Sequence, residues 1–171
     1  MTMKRITTIL FLLLASIYAQ AFTLVIDPGH GGKDAGAIGK NSKEKDINLA
    51  VALAFGEMVK ANFPDVKVIF TRKTDVFVEL SERANIANKA KADLFVSIHT
   101  NSLPKGRISR GTETYTLGMH KAAENLEVAK RENSVITMES NDKTHYYGFD
   151  PASTESYIIF EFIQSEYVKE S

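Results

Sequence analysis

The chain of 171 residues has no cysteine and no tryptophan, and its 21 basic residues are matched by 21 acidic ones. Without cysteine it can form neither disulfides nor thiolate metal sites. Any metal must therefore sit on His, Asp or Glu. Without a basic surplus the chain lacks the charge of a nucleic-acid binder. It also lacks a long apolar run: residues 6–17 are apolar, but a membrane-spanning helix needs roughly 20 such residues.

What is present at the N-terminus is a charged start (Lys4, Arg5), that short apolar stretch, and Ala19-Gln20-Ala21, a small-x-small cleavage site. This is the three-part pattern of a secretory signal peptide over residues 1–21. It predicts export to the periplasm or beyond, with no membrane span after cleavage and no lipid anchor on cysteine. The leader holds two basic residues and no acid. The mature segment, 22–171, is thus left with 19 basic against 21 acidic residues, a net charge of −2. Its 150 residues suffice for one domain with its own core.

Apolar strand-like runs fall at residues 22–26, 66–70, 94–98 and 112–117. Between the first two, Ile47, Val51, Ala54, Phe55 and Met58 recur at helical spacing and predict a helix over 45–62. Leu80, Ala84 and Ala87 mark a second helix carrying Arg83. This alternation predicts a three-layer αβα sandwich around a mostly parallel sheet. The run at 94–98 has the composition of a central strand covered on both faces. Beyond 117 the pattern predicts a helix over 119–131, a polar insertion or lid over 132–156, and a further helix from 157 to 168.

In open α/β sheets, ligands bind beyond the carboxyl ends of the strands. His30 follows the first strand inside "DPGHGGKDAGAIG", and His99 ends "DLFVSIH", so both are expected at one sheet edge. Each alone reads as an ordinary turn histidine. Their shared placement makes them candidate ligands. Glu44, in "NSKEKDINL", is an acid suited to the first turn of a helix, with Asn41 or Ser42 as cap. The loop from His30 returns over the same edge, however, so its carboxylate could meet both imidazoles. A His–Glu–His set with an open fourth position is the pattern of catalytic zinc.

"DPGHGGKDAGAIG", "EKDINLA", "TRKTDVFVELSERANIAN" and "ADLFVSIHTNS" together resemble the ordered signature blocks of the zinc-dependent N-acetylmuramoyl-L-alanine amidases, bacterial cell-wall hydrolases. The resemblance runs from about residue 24 to 117. It implies zinc on His30, Glu44 and His99. It also implies peptidoglycan as substrate, cleaved between N-acetylmuramic acid and the L-alanine of its stem peptide. Asp27 is expected either to accept from a ligand imidazole or to cap the turn before Gly29. Arg72, Asp75, Glu79 and Arg83 fit a structural ion-pair network better than substrate contact. Asn101 is a candidate for substrate contact or for shaping its loop, and His120 is expected in solvent.

Similar enzymes carry a proton-transferring glutamate in a C-terminal block resembling "PxxLxExGFxxN", which this sequence does not contain. Glu161, in "YIIFEFIQ", has the surroundings of a helix rather than of that strand, so no catalytic base is assigned. The chain is then expected to be either a C-terminally incomplete amidase domain, inactive as a fragment, or a non-catalytic zinc-binding cell-wall module. A zinc carboxypeptidase fits the blocks less well. Similar amidases include members whose inserted segment blocks the site until a partner moves it. Glu139, Asp142 and His145 are the candidates in 132–156 to fill the fourth position, with an activator protein as the implied partner. The alternative for this stretch is a solvated loop, with His145 in solvent.

Overall fold

The computed structural model describes residues 21–102, 110–114, 130–139, 150, 153 and 156. Residues 1–20 of the expected leader, most of the strand and helix expected at 112–117 and 119–131, and the helix expected at 157–168 (but for residue 156 before it) lie outside the described residues. So do His120, Asp142, His145 and Glu161. Residues 112–114 carry no regular secondary structure.

Five elements alternate along the chain: β1 (Thr23–Pro28), α1 (Glu44–Asn62), β2 (Lys67–Phe70), α2 (Leu80–Ala90) and β3 (Leu94–Ile98). Residues 130–133 are helical and run into a short 3-10 turn, Ser134–Met138. The strands form a parallel sheet in the order β2-β1-β3. The chain therefore leaves β1 in one direction and later crosses back past it. Right-handed crossovers then place α1 and α2 on opposite faces.

The side chains agree with that placement. Leu24 and Ile26 of β1 pack with Ala52 of α1 and Phe70 of β2, joined by Leu53, Phe55, Val59, Val96 and Ile98. Burying an aliphatic side chain of this size contributes about 1.5–3 kcal/mol. The alternate residue Asp27 points the other way and meets Arg83 of α2. This is the expected three-layer arrangement, with all six residues of β1 buried.

Within the described strands β1 lies in the middle; most of the fourth strand expected at 112–117 lies outside the described residues. Within the described sheet β3 is an edge strand, and Leu94 and Phe95 are 48% and 41% exposed. A continuous apolar run marks a strand that can be covered on both faces, but it does not choose that strand's neighbours. The start of α1 differs from expectation. Its N-cap is Lys43, without a side-chain cap, rather than Asn41 or Ser42. The Glu44 amide instead donates to the carbonyl of Ala37 at 2.9 Å, tying the helix to the preceding loop. Among the described residues no helix is long and apolar enough to cross a membrane.

Candidate metal centre

Parallel pairing sets the site. Pro28 of β1 is in register with Ile98 of β3, so the residues that follow each strand emerge side by side. The Gly29 amide continues the ladder to the Ile98 carbonyl at 3.0 Å. His30 and His99 then meet edge to face, with ring centroids 4.8 Å apart.

The loop after β1 is shaped to hold its histidine. His30 adopts a left-handed backbone, φ 62°, which a side-chain-bearing residue reaches only at a cost. Paired backbone bonds between Gly31 and Asp34 close a tight turn behind it. The Asp34 carboxylate returns to His30 Nδ1 at 2.7 Å and accepts the Gly36 amide at 3.1 Å. That contact directs the other ring nitrogen, Nε2, into the site.

Two glycines make the approach possible. A Cβ on Gly29 would lie 2.3 Å from His99 Nε2. One on Gly36, itself at φ 63°, would lie 2.6 Å from His30 Cδ2. Any side chain at either position would collide with a candidate ligand.

Glu44 is buried and held from several directions. Its Oε2 accepts the Ala37 amide at 2.9 Å, and its Oε1 accepts the Thr100 amide at 2.9 Å. The same Oε1 lies 3.3 Å from both His30 Nε2 and His99 Nδ1. Asn48, fully buried one turn along α1, accepts the Thr100 hydroxyl at 2.8 Å and so links helix to β3 loop.

A fourth group completes the cluster. Glu132 Oε2 lies 3.0 Å from His30 Nε2 and 3.0 Å from His99 Nδ1, while Arg131 grips its Oε1 through Nε and Nη2 at 3.1 and 2.9 Å. Candidate ligand atoms of His30, Glu44, His99 and Glu132 all lie within 4.8 Å of one another. Yet, among the described residues, His30 Nε2 and Glu132 Oε2 are buried without a hydrogen bond of acceptable geometry. Buried polar atoms are ordinarily paired. Clustered donors that lack such bonds are what a bound cation would satisfy. Two imidazoles and two carboxylates suit zinc.

The charges agree. Burial disfavours a charged His30, but the carboxylates of Asp34, Glu132 and Glu44 outweigh it and push its pKa up to about 11. Burial acts likewise on His99, and Glu132 and Glu44 raise it to about 9. Burial alone would raise both glutamates. The two imidazoles instead hold Glu44 and Glu132 well below the usual carboxylate range. Two protonated rings balance two carboxylates, and a divalent cation bound to neutral rings would balance the same pair.

Of the residues singled out from the sequence, the structure brings His30, Glu44 and His99 together. Asp27 differs from both roles considered for it. Its carboxylate faces α2 and accepts from Thr71 Oγ1, Arg83 Nη1 and Ser97 Oγ at 2.5, 2.6 and 2.7 Å. The acceptor on His30 is Asp34 instead. Arg72 and Arg83 are buried and structural, donating to the loop carbonyls of Pro28, Gly29 and His30. Asp75 is paired with Lys45 at 2.6 Å. Asn101 is exposed and accepts from Arg131 at 3.3 Å. Glu139 is not among the converging donors: its carboxylate caps α2, accepting the Leu80 amide at 2.5 Å. Sequence reasoning missed Asp34 and Glu132. The former had a local signal, an acid four residues after His30 in a glycine-rich turn.

A cavity of about 490 Å³ opens beside the donors, with Ala84, Ala87 and Phe95 on its apolar side.

Residues 24–168 match the family model described as N-acetylmuramoyl-L-alanine amidase. Among relatives, the amidase AmiA of Escherichia coli K12 is 33% identical over 154 residues, 86% of this chain and 50% of that protein. The endolysin of Bacillus phage SPP1 is 49% identical over 90 residues, 53% of this chain and 32% of that protein. The chain thus spans about a third to a half of the length of these two. The crystal structure of an N-acetylmuramoyl-L-alanine amidase from Clostridium difficile 630 superposes with a TM-score of 0.51 at 34% identity, covering 69% of this chain and 63% of that one.

Proposed function

The chain belongs to the N-acetylmuramoyl-L-alanine amidase family, and from that premise we propose that it serves as a zinc-dependent peptidoglycan hydrolase whose centre is closed by one of its own carboxylates. The substrate bond is the amide joining N-acetylmuramic acid to the L-alanine of the stem peptide. The observation that carries the reading is the clustering of His30, Glu44, His99 and Glu132 donor atoms within 4.8 Å of one another, two of them buried and, among the described residues, without a hydrogen bond of acceptable geometry.

His30, Glu44 and His99 would hold the zinc, which when bound supplies Lewis acidity toward water and an amide carbonyl. The protein's own work is positioning. Asp34 holds the proton on Nδ1 of His30 and leaves Nε2 as the donor. The Ala37 and Thr100 amides fix the rotamer of Glu44. Arg72 and Arg83 brace the loop that carries His30. A carboxylate in the fourth position excludes substrate water until it moves. Glu132 has that place, and it is the first residue of the segment 132–156 read from the sequence as a lid. An activator protein that draws this segment away would switch the enzyme on. Residues 1–21 serve as the export leader, and residues 22–171 form the amidase portion working at the cell wall.

The test is digestion of purified peptidoglycan by the intact gene product carrying Glu132→Ala. Peptides with new L-alanine amino termini should be released, and His99→Ala should abolish both their release and stoichiometric zinc. Release that survives His99→Ala, or cleavage at another bond, would overturn the reading.

A further inference from the structure

Glu139 lies seven residues beyond Glu132 and touches none of the metal donors, yet it is 94% buried, with 6% of its surface exposed. Its Oε1 accepts the amide of Leu80, the first residue of α2, at 2.5 Å. The helix's own N-cap, Glu79, provides no side-chain cap. A carboxylate from a distant segment therefore satisfies an N-terminal amide of α2 and sits at the positive end of its dipole. The second oxygen, Oε2, is buried with no hydrogen-bond partner among the described residues.

Between the two glutamates runs the 3-10 turn Ser134–Met138, with Val135 and Ile136 buried. Lys33, from the His30 loop, donates to the carbonyl of Met138 and lies 4.4 Å from the Phe77 ring centroid. Arg131 secures the near end through Asn101 and Ser102. The segment is thus pinned at both ends, with Glu132 between the pins.

We propose that Glu139 is the clasp of the lid: seated on the α2 N-terminus, it positions Glu132 among the imidazoles and comes undone when the lid opens. This rests on the reading of Glu132 as the group that closes the centre. The half-satisfied carboxylate is what makes the clasp reversible. A buried carboxylate with every lone pair engaged would resist leaving. One with an unpaired oxygen recovers hydration on release, which offsets the lost amide contact. Glu139 is a positioning residue, acting on the centre only through Glu132.

The test compares hydrogen exchange and zinc affinity in the full chain with Glu139→Ala, Glu139→Gln, Glu132→Ala and the double alanine variant. In Glu139→Ala the amides of Leu80 and residues 132–138 should exchange about tenfold faster or more, while those of Leu24 to Ile26 keep their protection. Glu139→Gln keeps a neutral acceptor and should fall between. Zinc affinity should weaken about 10- to 100-fold in Glu139→Ala, the range for groups that orient ligands. It should weaken no further in the double variant than in Glu132→Ala alone. Unchanged exchange at Leu80 and 132–138 would overturn the clasp, as would additive losses of zinc affinity. Unaltered zinc affinity in Glu132→Ala would instead refute the role given to Glu132.

Discussion

Replacing Glu132 with Ala should move two affinities in opposite directions. In the native chain a small exogenous ligand must displace the Glu132 carboxylate, whose Oε2 stands 3.0 Å from Nε2 of the buried His30 and 3.0 Å from Nδ1 of the more exposed His99. Displacing it gives up the electrostatic contact of a carboxylate with two imidazoles, on the order of 1.5–3 kcal/mol, the range for interactions with charged groups. The Arg131 pair on the other oxygen is part-exposed and adds little. Removing the side chain should therefore tighten the binding of acetohydroxamate by about 10- to 150-fold, taking 1.36 kcal/mol per factor of ten. Cobalt substituted for zinc gives a visible spectrum in which that binding can be titrated. The metal itself, having lost a ligand, should be held more weakly. A variant that was merely destabilised would weaken both. Equal hydroxamate affinity in the two proteins would show that Glu132 does not occupy the coordination position.

Three further outcomes follow from the geometry. Asp34→Asn, which removes the carboxylate from His30 Nδ1, should weaken zinc affinity about 10- to 100-fold; unchanged affinity by competition with a chelator would remove Asp34 from the site. Gly36→Ala places a Cβ 2.6 Å from His30 Cδ2 at a backbone φ of 63°, so it should lower chemical-denaturation stability by about 1–3 kcal/mol and also impair zinc loading, whereas native stability would show that the loop can yield. In metal-stripped protein the raised histidine pKa values stabilise the fold fully below the ordinary value of 6.5, and that stabilisation is lost as pH rises through about 9 at His99 and about 11 at His30. Its Tm should thus fall between pH 7 and pH 10 more steeply than that of the zinc-loaded form; parallel profiles would contradict the charge balance.

The parts of the centre legible in the sequence are those governed by local rules. His30 and His99 each end an apolar run, and parallel pairing alone brings two such ends together. Glu44 could be placed because a loop leaving one strand end must return over the same edge to start α1. Asp27 was misread because its ion pair depends on which sheet face it takes. Alternation puts it opposite Ile26, toward α2, where Arg83 waits 56 residues away in sequence. Glu132 lies 33 residues beyond His99, in a polar stretch with no periodicity. Only tertiary placement brings it to the imidazoles, so it had no local mark. Glu139 was a candidate for the fourth position at the centre, but its partner is a helix terminus, and a backbone amide leaves no trace in the pattern of side chains.

The two arginines behind the loop also bear on which cations the protein admits. Three consecutive carbonyl oxygens, those of Pro28, Gly29 and His30, are turned toward Arg72 and Arg83, each at 2.9 Å from a guanidinium nitrogen. Calcium and magnesium are hard ions that build their shells from oxygen, and calcium commonly recruits carbonyls from bends of this kind. Here those oxygens are already committed to charged donors. The face left toward the centre offers imidazole nitrogen and a sparse pair of carboxylates, a donor set that favours borderline transition metals. Two side chains outside the candidate centre thus keep these carbonyl oxygens from serving a hard cation.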